Sequence, residues 1–144
     1  MDSLDYKRPE SVLVVVYTTR GDVLMLRRRH PADFWQSVTG SLEQGETPAD
    51  AARRELREET GLDMAVTDCQ RSHEFEILPA WRNRFAPGTQ SNREHVFVAC
   101  CPERPDVKID LQEHTAYRWL PRARAAKLAS SATNRDAILD FVTV

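Results

Sequence analysis

The chain has 144 residues and a mass of 16.5 kDa. One ordinary domain of this size buries roughly 68–70% of the surface its unfolded chain exposes. Charged residues are 29% and the hydrophobic set 41%. That balance excludes disorder and fits one domain over residues 1–144. Lys and Arg total 20 against 22 Asp and Glu, a formal charge of -2. The basic excess of a nucleic-acid binder is missing, so no nucleic-acid partner is expected.

Cys69, Cys100 and Cys101 show neither metal-type spacing nor a pattern that pairs all three. They are expected to be reduced thiols of a cytoplasmic protein. The start, MDSLDYKRPE, has no apolar leader core. The longest aliphatic run, Val12–Val16, is far short of the ~20 residues that span a bilayer, so no membrane segment is expected.

In chain order, Val12–Tyr17 and Val23–Leu26 read as strands joined by a turn at Gly21. Unbroken apolarity in the first implies burial on both faces. Trp35–Val38 reads as a short strand stopping at Gly40. Thr47-Pro48 has the form of an N-cap followed by proline at the first helical position. Ala49–Thr60 is strongly helix-forming, and Gly61 sits where a C-cap glycine belongs. Met64–Val66 and Glu74–Leu78 read as strand pieces, Pro79–Arg93 as a polar loop, and His95–Cys101 and Tyr117–Leu120 as strands. Arg122–Leu128 and Asn134–Val142 read as helices, the second capped by Ser131 or Thr133. Strands on both sides of a central helix fit an α/β fold, a mixed sheet covered by helices.

The central helix carries the chemistry. With Glu55 at zero, Glu59 falls near 40° and Glu58 near 300°, at about 100° per residue. Ala49, Ala52 and Leu56 form an apolar stripe, while Asp50, Arg53 and Arg57 lie opposite. Glu55, Glu58 and Glu59 converge between these faces. Like charges at that spacing repel, and a hard divalent cation such as Mg²⁺ reverses the sign. Arg54, one turn before Glu58, is placed to orient it, and Glu46 can fold back onto the same site.

The spacing Gly40, five residues, Glu46, seven residues, then Arg54-Glu55-Leu56-Arg57-Glu58-Glu59-Thr60-Gly61-Leu62 resembles the Nudix box at every defined position. The resemblance implies an α/β/α sandwich around a mixed sheet, with the box as a loop–helix–loop. It also implies hydrolysis of pyrophosphate bonds using Mg²⁺, or Mn²⁺ in its place. Tyr6–Pro9, Phe34–Ser41, Asp68–Arg71, Glu74–Ile77, Glu113-His114 and Asn134-Arg135 are similar to the Nudix branch that acts on dihydroneopterin triphosphate in folate biosynthesis.

The resemblance implies Glu55 and Glu59 as metal ligands, with Glu58 also binding or bridging. Glu113 matches the glutamate of that branch's Glu-His motif and is the candidate base, a further metal ligand, or both. His114 is the other candidate base, its ordinary pKa being nearer neutral. Strand alternation turns Arg28 away from Arg27 and Arg29, so not all three can face one ligand, and the resemblance to that branch implies Lys7 and Arg28 for the triphosphate. Thr39 offers a hydroxyl or backbone contact, and Ser131 either caps a helix or touches substrate. For a flat ring, Phe34, Trp35, Phe75 and Trp81 are available surfaces. Glu76 is an acceptor for an amino-pyrimidine edge, and Phe75–Leu78, including Ile77, is the expected ring pocket.

The expected partner is a small-molecule triphosphate, bound by a monomer or homodimer. Two other readings stay open: a general dNTP or oxidised-nucleotide pyrophosphatase, and a non-catalytic sensor or RNA-binding module of the same fold. Retention of Glu55, Glu58 and Glu59 favours catalysis.

Overall fold

The computed structural model describes residues 6–143. Residues 1–5, part of the start without a leader pattern, and residue 144 lie outside the described residues. β1 (Glu10–Thr18) occupies the middle of the sheet, and Val12 to Val16 are buried along both faces. One edge of β1 runs parallel to β6 (Ser91–Cys101), from Glu10↔Arg93 to Thr18↔Cys101. The other edge is shared. β4 (Val38–Ser41) pairs antiparallel with Ser11–Val14, and β2 (Asp22–Arg28) joins at Tyr17↔Val23. β2 then carries β3 (Trp35–Gln36) and β7 (His114–Pro121), while β5 (Thr67–Glu76) flanks β6. Among the described residues this is one mixed sheet of seven strands.

Each face of the sheet is covered. Val12, Val14, Val16, Leu24, Leu26 and Phe97 pack against Ala51, Ala52 and Leu56 of α1 (Pro48–Thr60). Leu13, Val15, Val23, Met25 and Val96 pack against Ala125 and Ala126 of α2 (Arg122–Leu128) and Ala137 and Ile138 of α3 (Ala132–Phe141). The product is the α/β/α sandwich. Among the described residues no helix is long and apolar enough to cross a membrane. The three cysteines are free thiols.

α1 begins and ends on its caps. Thr47 accepts from the Asp50 amide, Pro48 opens the helix, and Gly61 closes it at φ 76°. Ser131, not Thr133, caps α3, accepting from the Asn134 amide.

Several sequence expectations are corrected. The single strand expected over Trp35–Val38 and stopping at Gly40 is instead two, β3 on β2 and β4 on β1, and β4 runs to Ser41 because Gly40 pairs with Val12 of β1. Met64–Val66 is not a strand; Met64 and Val66 pack onto the α1-side core from an irregular segment. β5 starts at Thr67 and ends before Ile77. Its mostly exposed, polar composition is that of an edge strand, which hides the usual apolar alternation. The loop expected at Pro79–Arg93 contains a 3-10 helix, Pro79–Arg84, and gives its last residues to β6. Ala49 is exposed at the helix start, and Ala51 takes the buried place beside Ala52 and Leu56.

Leu56 is fully buried between α1 and the sheet. Leu56→Ala is expected to lower unfolding free energy by about 2–5 kcal/mol, read as a shifted midpoint with unchanged slope in urea denaturation.

Candidate active site

The site is built around one guanidinium on α1. Arg54 grips Glu46 with two parallel bonds, Nε to Oε2 at 2.8 Å and Nη2 to Oε1 at 2.9 Å. Its Nη1 donates to Glu55 Oε1 at 2.8 Å and Glu58 Oε2 at 3.2 Å, and Nη2 also reaches the Ser41 carbonyl at 3.0 Å. The fork geometry of arginine allows this, whereas a lysine ammonium could not hold a carboxylate in two places. The pKa of Glu46 is thereby lowered, first by the Arg54 hydrogen bonds. The Glu46 loop is tied from outside too, since Arg8 donates to the carbonyls of Glu43 and Glu46 while pairing with Glu10.

Glu55 and Glu59 point inward toward the sheet. Glu55 lies on Gly40 so closely that a Cβ there would overlap its whole carboxylate. This is why β4 carries glycine at that place. Burial pushes the Glu55 carboxyl upward, against the opposing pull of Arg54. Glu59 is only 8% exposed, and its Oε2 has no hydrogen-bond partner among the described residues. Burial, then repulsion from Glu55, raises its pKa well above its ordinary value, with the Thr39 backbone and Arg28 opposing. Glu58 instead points outward, its side chain 53% exposed. The three carboxylates therefore do not converge equally as the helical wheel implied.

Glu55, Glu58 and Glu59 line a cleft of about 710 Å³ with Lys7, Arg28, Thr39 and Glu113. Arg28 reaches it because the β2–β7 register shifts between Arg27 and Arg28, which sets Arg28 opposite His114. Arg27 turns away to Asp33, and Arg29 to the Leu111 carbonyl. Lys7 stands exposed at the cleft, and its pKa is lowered by desolvation and by the Arg84 and Arg28 charges. Phe75, Glu76, Ile77 and Leu78 form another part of the wall with Trp81.

Two other expected residues, Ser131 and Trp35, lie elsewhere. Ser131 is committed to the α3 cap and is not on the cleft. Trp35 packs on the α2–α3 side of the sheet with Arg118 over its ring. Glu76 is 80% exposed and paired with Arg82. His114 is almost wholly buried, which lowers its pKa. Its Nε2 stands 3.4 Å from the Gln36 amide nitrogen, and its Nδ1 is buried without a partner among the described residues. Sequence reasoning missed Ser11, Gln36, Asn92 and Glu94, which also line the cleft. The available signal was polar residues at alternate positions entering the His95–Cys101 strand.

The donor set suits a hard divalent cation: carboxylate oxygens, one of them buried and unbonded. It is not a closed cage. Among the described residues no three His, Cys, Asp or Glu side chains stand grouped closely enough to enclose an ion. Arg54 holds Glu55 and Glu58 by the oxygens an ion would use.

Residues 7–141 match the NUDIX domain model, and the chain belongs to the Nudix family. It is 49% identical to the dihydroneopterin triphosphate diphosphatase of Escherichia coli K12 over 145 aligned positions, covering 95% of this chain and 94% of the relative. The Haemophilus influenzae enzyme of the same name is 41% identical, over 96% of this chain and 90% of its own. The solved structure of the E. coli dihydroneopterin triphosphate pyrophosphohydrolase superposes with a TM-score of 0.87 at 48% identity, covering 95% of this chain and 97% of that one.

Two outcomes follow from this geometry. Gly40→Ala is expected to displace the Glu55 carboxylate and remove most hydrolytic turnover while the far-UV circular dichroism spectrum stays native. Wild-type turnover in that variant would show that Glu55 need not lie on Gly40. Glu46→Gln is expected to cost about 1.5–3 kcal/mol at pH 7, the scale of a charge-assisted hydrogen bond. Because the folded pKa of Glu46 is depressed, its contribution is full above the unfolded value. It is lost as pH falls through the folded one. Denaturation of both proteins from pH 7 to pH 3 should show the gap closing with acid.

Proposed function

We propose that the chain is a Mg²⁺-dependent pyrophosphohydrolase that converts 7,8-dihydroneopterin triphosphate to dihydroneopterin monophosphate and pyrophosphate, working in the cytoplasm. The observation that carries this reading is the cleft itself, where the inward carboxylates Glu55 and Glu59 share one space with the cations Lys7 and Arg28. The relatives at 49% and 41% identity, named for that activity, support the choice of substrate.

Glu55 and Glu59 would hold the cation, with Glu58 and Glu113 as further oxygen donors, and Mn²⁺ would suit the same oxygens. Bound there, the cation neutralises phosphate charge and lowers the pKa of a water. Lys7 and Arg28 bind the phosphate chain, and its negative charge relieves the crowding of Lys7 by Arg28 and Arg84. Thr39 offers a hydroxyl at the same wall. Arg54 orients Glu55 and Glu58 by donating to both.

Glu113 is exposed on the cleft rim and takes the proton of the attacking water. As the water oxygen bonds to one phosphorus of the α–β anhydride, the bond between that phosphorus and the bridging oxygen breaks, and its electron pair stays on the bridging oxygen of the other fragment, so the products are the monophosphate and pyrophosphate. His114 is a poorer base. One nitrogen faces the Gln36 amide and the other is enclosed, so neither has an open path to water.

The test is pyrophosphate or phosphate release from dihydroneopterin triphosphate, dATP, 8-oxo-dGTP, ADP-ribose and NADH. The pterin is expected to give the highest kcat/KM. A preference above about tenfold for ADP-ribose or NADH would overturn the substrate assignment, since uniform phosphate contacts alone cannot produce it. Glu59→Gln is expected to lose at least about 100-fold in turnover, the upper end of what outer-shell partners of a metal contribute, with melting behaviour retained. Unchanged turnover would remove Glu59 from the metal site.

A further inference from the structure

Two buried polar side chains lie on the cleft wall with no part in the chemistry above. Asn92 and Glu94 are 4% and 8% exposed and both line the cleft. They stand two residues apart on β6, so they leave the strand on one face, about 7 Å apart along it. Val96, the next residue on that face, is fully buried in the α2–α3 core. Where the face emerges into the cleft, the sequence changes from aliphatic to polar.

Burying a carboxylate is unfavourable unless it is bonded. Glu94 Oε1 meets His73 Nε2 at 3.0 Å, from its register partner on β5. Burial pushes its carboxyl upward, and His73 and Thr133 oppose this. Asn92 is anchored on one side, with Nδ2 donating to Ser11 Oγ at 2.8 Å. Asn92 therefore keeps its carbonyl oxygen for another donor, and the Glu94 carboxylate, with about four lone-pair sites on its two oxygens, can accept further donors from the cleft beyond His73 and Thr133. Phe34, Phe75 and Trp81 line the same cleft and supply flat apolar walls.

We infer that Asn92 and Glu94 read the ring of the substrate and select a 2-amino-4-oxo-pyrimidine edge, the edge shared by pterins and guanine. Glu94 accepts from the ring N–H and one hydrogen of the adjacent amino group, and Asn92 Oδ1 accepts the amino group's second hydrogen. The paired donors match a carboxylate in the way a guanidinium does. Adenine presents a ring lone pair beside its amino group and would aim it at the carboxylate. The exposed Glu76, committed to Arg82, cannot supply this desolvated contact. The inference rests on the cleft being the triphosphate site proposed above.

The experiment compares kcat/KM of wild type and Glu94→Gln on dihydroneopterin triphosphate, dGTP and dATP. The isosteric glutamine turns a donor toward a donor. At least about a tenfold loss is expected on the pterin and dGTP, mostly in KM, with dATP changed by less than about threefold. An equal loss on dATP, or no loss on the pterin and dGTP, overturns the inference. Should wild type hydrolyse dGTP and dATP but not the pterin, the substrate assignment falls while the ring inference is still tested. It then stands if Glu94→Gln removes a preference for dGTP over dATP, and falls if that ratio is unchanged. If Glu94→Gln loses cooperative melting, Asn92→Ala carries the same comparison, and an unchanged pterin-to-dATP ratio in it overturns the proposal.

Discussion

The grip of Arg54 on the acidic groups around it organises the site. Without a cation among them, Glu46, Glu55 and Glu58 would repel one another across a single helix turn and its leading loop. Arg54 gives each a fixed donor and takes the Ser41 carbonyl besides. Its side chain is only 15% exposed, so these bonds act where water screens them little. One residue thus joins the loop, the helix and the end of β4. Arg8 extends the hold to the strand on the other side of that loop, through Glu10.

This arrangement divides the carboxylates by their neighbours. Glu46 is matched with a cation, and its pKa is lowered by the Arg54 hydrogen bonds. Glu59 has burial and Glu55 against it and no direct cation, so its charge is unfavourable in the free protein. A protein that binds a divalent ion between such groups recovers at binding what folding left uncompensated. Lys7 shows the opposite imbalance, an ammonium desolvated beside Arg28 and Arg84. Two uncompensated sites of opposite sign in one cleft complement an ion and a polyphosphate together. The formal charge of -2 is the residue of that sorting: six acids and three arginines lie between Glu43 and Glu59, while Lys7, Arg8 and Arg27–Arg29 precede them.

Most of the box was legible because its determinants are local. Thr47-Pro48 and Gly61 bound α1 through caps that depend on adjacent residues, and helical geometry puts Glu55 and Glu59 on one side. Glu58 was misplaced because a wheel gives angle and not depth. At about 300° it borders the inward arc, yet its side chain is half exposed. Arg28 was separable from its neighbours by strand alternation, although the register shift that aims it came only with the pairing of β2 and β7. β5 was half missed, since an exposed edge strand lacks the apolar alternation by which strands are read.

By itself the sequence determined the capped helix α1 with its acidic residues, the buried first strand and the family, all of which rest on short-range spacing, capping and a dense local motif. Tertiary structure alone decided which polar groups face one another. It took Ser131 and Trp35 out of the cleft, enclosed His114, and committed Glu76 to Arg82 in solvent. It also brought Ser11, Asn92 and Glu94 to the cleft wall, residues distant in sequence whose meeting depends on the parallel register of β1 and β6. The physical reason is range. A cap or a helix face is settled within a few residues, whereas the desolvation and pairing of a buried charge depend on every strand and helix packed around it.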